Sequence, residues 1–174
     1  MITFAIMDTI YLDNAATTPI DSKVIERIAE VMTTVYGNPS STHQLGRKAK
    51  TVVEEARKSI AKHFNVTAGE VVFTAGGSEA DNLILRNAVV NLGVKRIITS
   101  KIEHHAVLYT VEALADEFDV KIDFVDLDTS GLVNYSHLET LITNNDVKTL
   151  VSLMSVNNEL GNLLDIKKVS DLCI

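Results

Sequence analysis

Apolar residues recur along this chain at two periods, and the change of period divides it. In the first part Val24, Ile25, Ile28, Val31 and Met32 follow helical spacing after Asp21, whose carboxylate can cap the helix; the stripe is expected to face a core. Turn formers in Gly37-Asn38-Pro39-Ser40-Ser41-Thr42 break the pattern, and Ser41 or Thr42 offers an N-cap for a second helix. That helix carries Leu45, Ala49, Val52, Val53, Ala56, Ile60 and Phe64 on one side, with a solvated face of Arg47, Lys48, Glu54, Glu55, Arg57 and Lys58. From residue 70 onward short apolar runs alternate with amphipathic stretches. Strands are expected over 70–74, 96–99, 120–125 and 149–154. The helices after them are carried by Leu83, Ile84 and Ala88, by Ala106, Val107, Val111, Leu114, Ala115 and Phe118, and by Leu138, Leu141 and Ile142, and the last begins near Asp165.

Short strands alternating with helices imply βαβ crossovers, hence an α/β fold with a mainly parallel sheet and helices on both faces. Ligands in such sheets sit beyond the carboxyl ends of the strands. Those ends deliver Gly76-Gly77-Ser78, Glu103-His104-His105 and Asn157-Asn158-Glu159, so a parallel arrangement puts three polar clusters along one edge.

Composition narrows the class. At 174 residues, 46% hydrophobic and 22% charged with two prolines, the chain suits one compact ordered unit. Its net charge of −7, with no concentration of Lys and Arg, disfavours a nucleic-acid partner. The single cysteine, Cys173, fits a reducing cytoplasm, and no Cys/His spacing resembles a zinc site. Residues 1–7 are apolar without a basic flank, so no signal peptide is expected, and no apolar run is long enough to cross a bilayer.

Each cluster admits a functional and a plainer reading. Gly76-Gly77-Ser78 could cradle a phosphate through backbone amides and the Ser78 hydroxyl, or be an ordinary strand-to-helix turn with a serine cap. Glu79 and Asp81 suit the helix dipole but repel phosphate, so a cradle needs them turned away. The stretch is neither a P-loop nor a dinucleotide fingerprint, which leaves ATP and NAD weakly supported. His104 could stack on a planar cofactor or move a proton, or serve as a helix cap or surface residue; His105 reads as structural. Asn158 could fix a hydroxyl or phenolate oxygen, or bond its own backbone. Cys173 reads as a packing residue inside the last helix rather than a nucleophile.

Five stretches taken together carry a resemblance: Tyr11-Leu12-Asp13-Asn14-Ala15-Ala16-Thr17-Thr18-Pro19, Gly37-Asn38-Pro39-Ser40-Ser41, 73–82, Thr99-Ser100-Lys101 with Glu103-His104, and Val156-Asn157-Asn158-Glu159-Leu160-Gly161. In this order they resemble the NifS/IscS-type cysteine desulfurases, class V, fold-type I enzymes that depend on pyridoxal 5′-phosphate. The resemblance implies that Gly77 and Ser78 bind the cofactor phosphate. It implies that His104 stacks on the pyridine ring and assists proton transfer, and that Asn158 contacts the ring hydroxyl. It further implies removal of sulfur from L-cysteine, leaving alanine and a persulfide for iron–sulfur scaffolds or other sulfur acceptor proteins, in a cytoplasmic homodimer.

Family members continue beyond the point matching Ile174, where they place an Asp for the pyridine nitrogen, the Schiff-base lysine and the sulfur-accepting cysteine. The resemblance therefore implies the N-terminal part of a cofactor domain over 11–174, from a truncated gene, a split gene or a fragment, inactive and marginally stable alone. Residues 1–10 read as an extension, with Met7 an alternative start. The readings that compete are a non-catalytic phosphate-binding or interaction remnant, and a fragment of a selenocysteine lyase or another class V enzyme.

Overall fold

The computed structural model describes residues 10–143 and 146–173. The extension expected over 1–10 lies outside them except for Ile10. Length suggests one compact unit, whereas the chain divides into two, with the boundary between Phe73 and Thr74.

In the first unit, α1 (Ser22–Thr34) begins as expected, the Asp21 carboxylate accepting the Lys23 N–H at 2.8 Å. Its stripe, however, does not face a core. Val24, Ile25, Ile28 and Met32 are exposed, and no residue of the helix is buried. α2 (Gln44–Phe64) is capped by neither Ser41 nor Thr42 but by His43, whose Nδ1 accepts the Gly46 N–H at 3.4 Å. The loop before it folds onto its first turn so closely that a Cβ at Gly46 would lie 2.3 Å from the Ser41 carbonyl oxygen. Only glycine permits that approach. Beyond α2 a single 3-10 turn spans Ala68–Glu70, capped by reciprocal bonds between Thr67 and Glu70.

The strand expected over 70–74 does not form. Val71 is extended, yet a strand exists only through a partner, and none among the described residues supplies a ladder. Arg57 holds the segment instead, donating to the Val71 carbonyl and placing its guanidinium 4.7 Å from the Phe73 ring centre. A run of three β-formers reads as a strand by composition, but a cation over its aromatic member and a side-chain donor on its carbonyl are long-range events that composition does not contain.

The second unit runs α3 (Gly77–Val90), β1 (Arg96–Thr99), α4 (His105–Phe118), β2 (Lys121–Phe124), α5 (Tyr135–Thr143), β3 (Thr149–Val151) and α6 (Ile166–Leu172). The three strands are parallel in the order β2-β1-β3, with Arg96 beside Lys121 on one side and Thr149 on the other. Successive strand residues point to opposite faces. Ile97 accordingly joins a core with Leu85, Ala88 and Val89 of α3 and Val107, Val111 and Leu114 of α4. Ile98 joins Leu138 and Val125 on the other face, where Leu141, Ile142, Val169 and Leu172 pack. This is the α/β architecture the alternation predicts. One helix face is misassigned, since Leu83 and Ile84 are exposed. The buried set at 85, 88 and 89 is the true i, i+3, i+4 stripe. Among the described residues no helix is long and apolar enough to cross a membrane.

Candidate functional site

Strand order fixes where a ligand crevice can open. The chain leaves β1 through α4 to reach β2 on one side, then returns through α5 to β3 on the other. The connections therefore diverge at the carboxyl ends of β1 and β3. The loops there carry Glu103-His104-His105 and Asn157-Asn158-Glu159, and the two stretches line one open cleft of about 250 Å³. Sequence reasoning placed three clusters on this edge, and the structure brings two of them into a common wall.

Gly76-Gly77-Ser78 does not line that cleft. It opens α3, which packs beside α4, with the Thr110 hydroxyl donating to the Asn82 side-chain Oδ1 at 2.8 Å. Gly77 and Ser78 are exposed. The Gly76 backbone is fully extended, and a Cβ at either glycine would meet nothing within 4 Å. Neither glycine is thus demanded by the chain's own packing or by backbone strain, and the space before the helix is open to an external group. Glu79 turns back to accept the Ala75 N–H at 2.6 Å. Asp81 lies near enough to Glu103 to be felt electrostatically.

His104 is the N-cap of α4, its Nδ1 accepting the Ala106 N–H at 3.1 Å. The plainer reading of this histidine is thereby observed, and it does not exclude the other. With Nδ1 held as an acceptor, the neutral ring carries its proton on Nε2, which can donate a hydrogen bond outward. His105 stacks on Tyr109 with ring centres 5.2 Å apart, in keeping with a structural role. Asn158 is exposed, and its amide donates to Glu159 at 3.1 Å.

The backbone-bonding role that turn asparagines usually have belongs to Asn157 rather than Asn158. Its Oδ1 accepts the Glu159 and Leu160 N–H groups at 2.9 and 2.8 Å, and its Nδ2 donates to the Ile102 carbonyl at 2.7 Å. Gly161 closes the turn at φ +73°, where a side chain would be strained. Glu103 is the second residue whose importance the sequence concealed. It is 7% exposed, and its Oε1 accepts the Met154 N–H at 2.7 Å and the Ser100 hydroxyl at 3.2 Å. In the sequence its only mark is an acid beside a candidate histidine.

Burial pushes the Glu103 carboxyl above its ordinary value, aided by Asp81 and opposed by the Met154 and Ser100 hydrogen bonds. A raised acid stabilises the fold below the ordinary carboxylate range, and that contribution is lost as pH rises through the raised value. Glu103→Gln is therefore expected to remove the part of the fall in melting temperature that begins as pH rises above the ordinary carboxylate range. Equal slopes in the two proteins would refute the assignment.

Cys173 is not inside the last helix but is its C-cap, and it is exposed rather than packed. Local desolvation nonetheless raises its thiol above the ordinary value, the opposite of what an activated nucleophile needs.

Parallel α/β units commonly bind ligands where strand order reverses, and the cleft lies at that place. Residues 10–173 match the family model described as aminotransferase class-V. The chain belongs to that family, in its IscS/NifS cysteine desulfurase branch. It is 41% identical over 170 residues to the putative cysteine desulfurase IscS 1 of Bacillus subtilis, covering 95% of this chain and 44% of that protein. A solved NifS-like protein superposes with a TM-score of 0.84 at 35% identity, covering 92% of this chain and 44% of that one. SspA, solved in complex with cysteine, gives 0.83 at 31% identity, with coverage of 94% and 47%. The chain thus spans less than half the length of these relatives.

Proposed function

We propose that these 174 residues form the phosphate-and-ring side of a pyridoxal 5′-phosphate pocket in a cysteine desulfurase. The observation that carries the reading is the cleft shared by His104 and Asn158 at the reversal of strand order, in a chain of this family. The residues present suit the cofactor. Gly77 and Ser78 offer unpaired first-turn amides and a hydroxyl beside open space, and Glu79 is turned back onto Ala75. When bound, pyridoxal phosphate supplies an electron sink for cleavage beside the amino-acid α-carbon. In this arrangement Gly77 and Ser78 would hold the phosphate, His104 would stack on the ring with its Nε2–H directed outward, and Asn158 would contact the ring hydroxyl in exchange for its bond to Glu159. The substrate is L-cysteine, the products are alanine and a persulfide, and the acceptor is an iron–sulfur scaffold or another sulfur acceptor protein. The uncovered stripe of α1 supports association with a second copy. By themselves the 174 residues are expected to bind pyridoxal phosphate weakly and to release no alanine from L-cysteine. Absorbance titration and an alanine assay check both, and turnover by this chain alone would overturn the second.

A further inference from the structure

The two loops that form the cleft are tied to one another by side chains from both. Glu103, on the loop after β1, accepts the Met154 N–H of the loop after β3. Asn157, on the loop after β3, donates to the Ile102 carbonyl of the loop after β1. The ties run in opposite directions, each from the residue next to a proposed cofactor contact, Glu103 before His104 and Asn157 before Asn158. Both anchoring side chains are almost completely buried, whereas both contact residues are exposed.

We propose that Glu103 and Asn157 are a reciprocal latch that sets the placement of His104 relative to Asn158, making both positioning residues for the pocket. This deepens the proposed function and rests on it for the roles of His104 and Asn158. The physical case is one of stiffness. An exposed side chain at a loop tip has nothing of its own to hold it, so its precision is borrowed from buried neighbours. Asn157 fixes the turn over 157–161 with its carbonyl oxygen and the opposite loop with its amide nitrogen, so the same side chain defines the turn and its distance from β1. Ser100, which donates to Glu103, closes the tie at the strand end.

The test uses the 174-residue chain labelled with ¹⁵N, comparing Glu103→Ala, Glu103→Gln and Asn157→Ala. In Glu103→Ala the Met154 amide is expected to exchange with solvent about tenfold faster or more. The His104 ring and Asn158 side-chain resonances should shift, while the amides of Ile97 and Leu114 in the core stay protected. Glu103→Gln keeps an acceptor for Met154 and should restore both signatures. Unchanged His104 and Asn158 resonances in Glu103→Ala, with Met154 exchange accelerated, would reduce Glu103 to a purely structural bond and overturn the proposal. Should Glu103→Ala fail to fold, Asn157→Ala gives the same readout from the other tie. Titration with pyridoxal phosphate is read separately: absence of binding by the unmodified chain would refute the proposed function, whereas the exchange and resonance data judge the latch without any ligand.

Discussion

Replacing Arg96 by Met is expected to cost about 3 kcal/mol of stability, near the lower end of what breaking a buried ion pair does. Arg96 opens β1, and its side chain is 6% exposed. It ion-pairs with Asp123 of β2 and donates to the Leu141 carbonyl of α5 at 2.7 Å, so one guanidinium joins the central strand to an edge strand and a helix. Burial pushes the Asp123 carboxyl up, yet the hydrogen bonds and charges of Arg96 and Lys121 outweigh it and hold the group below its ordinary value. The lower end is appropriate because Lys121, 3.1 Å away, still faces Asp123 once Arg96 is gone. An acid held low contributes stability above its ordinary value and loses it as pH falls through the lowered one. The variant should therefore show a shallower acid limb as well as a lower urea midpoint. Arg96→Met combined with Asp123→Leu should recover only the part of the loss due to the weakened pairing of Asp123, because the Leu141 carbonyl still lacks its donor. A midpoint for Arg96→Met equal to that of the unmodified chain would remove Arg96 from the framework.

The centre of the sheet was legible because adjacent apolar residues in a short strand imply burial on both faces, and Ile97 and Ile98 serve opposite cores from adjacent positions. The first unit was less so. The spacing of Val24, Ile25, Ile28 and Met32 shows that one face of α1 is apolar, but whether anything covers it is not local information, and here these residues are exposed. The same limit explains residues 71–74, where β-propensity reports a willingness to pair and the partner is decided elsewhere. In the site, spacing located the loops and missed the residues that hold them. Glu103 and Asn157 each sit beside a candidate contact residue, His104 and Asn158. Their bonds cross 51 and 55 positions of sequence, so only the fold reveals that the less exposed neighbour does the fixing. The cap of α2 failed for a related reason, a histidine nitrogen substituting for the hydroxyls usually found there.

Gly77→Val should separate folding from binding more sharply than any other substitution in this chain. The backbone of Gly77 is helical with no positive φ, and a Cβ there touches nothing within 4 Å, so stability is expected to change by no more than about 0.5 kcal/mol. On the proposed function the side chain would project where the cofactor phosphate rests and cover amides meant for it. Pyridoxal phosphate binding is then expected to weaken at least about tenfold, equivalent to about 1.4 kcal/mol. Ser78→Ala removes one hydroxyl donor to a charged group and should weaken binding by about 10- to 150-fold, from about 1.5–3 kcal/mol. Gly161→Val is the contrasting case. At φ +73° the same change strains the Asn157 turn, lowering stability and disturbing the cleft with no contact to phosphate. Titrations with pyridoxal phosphate, repeated with inorganic phosphate as competitor, distinguish the two glycines. A Gly77→Val protein that melts normally and binds normally would show that the open space before α3 is only a turn.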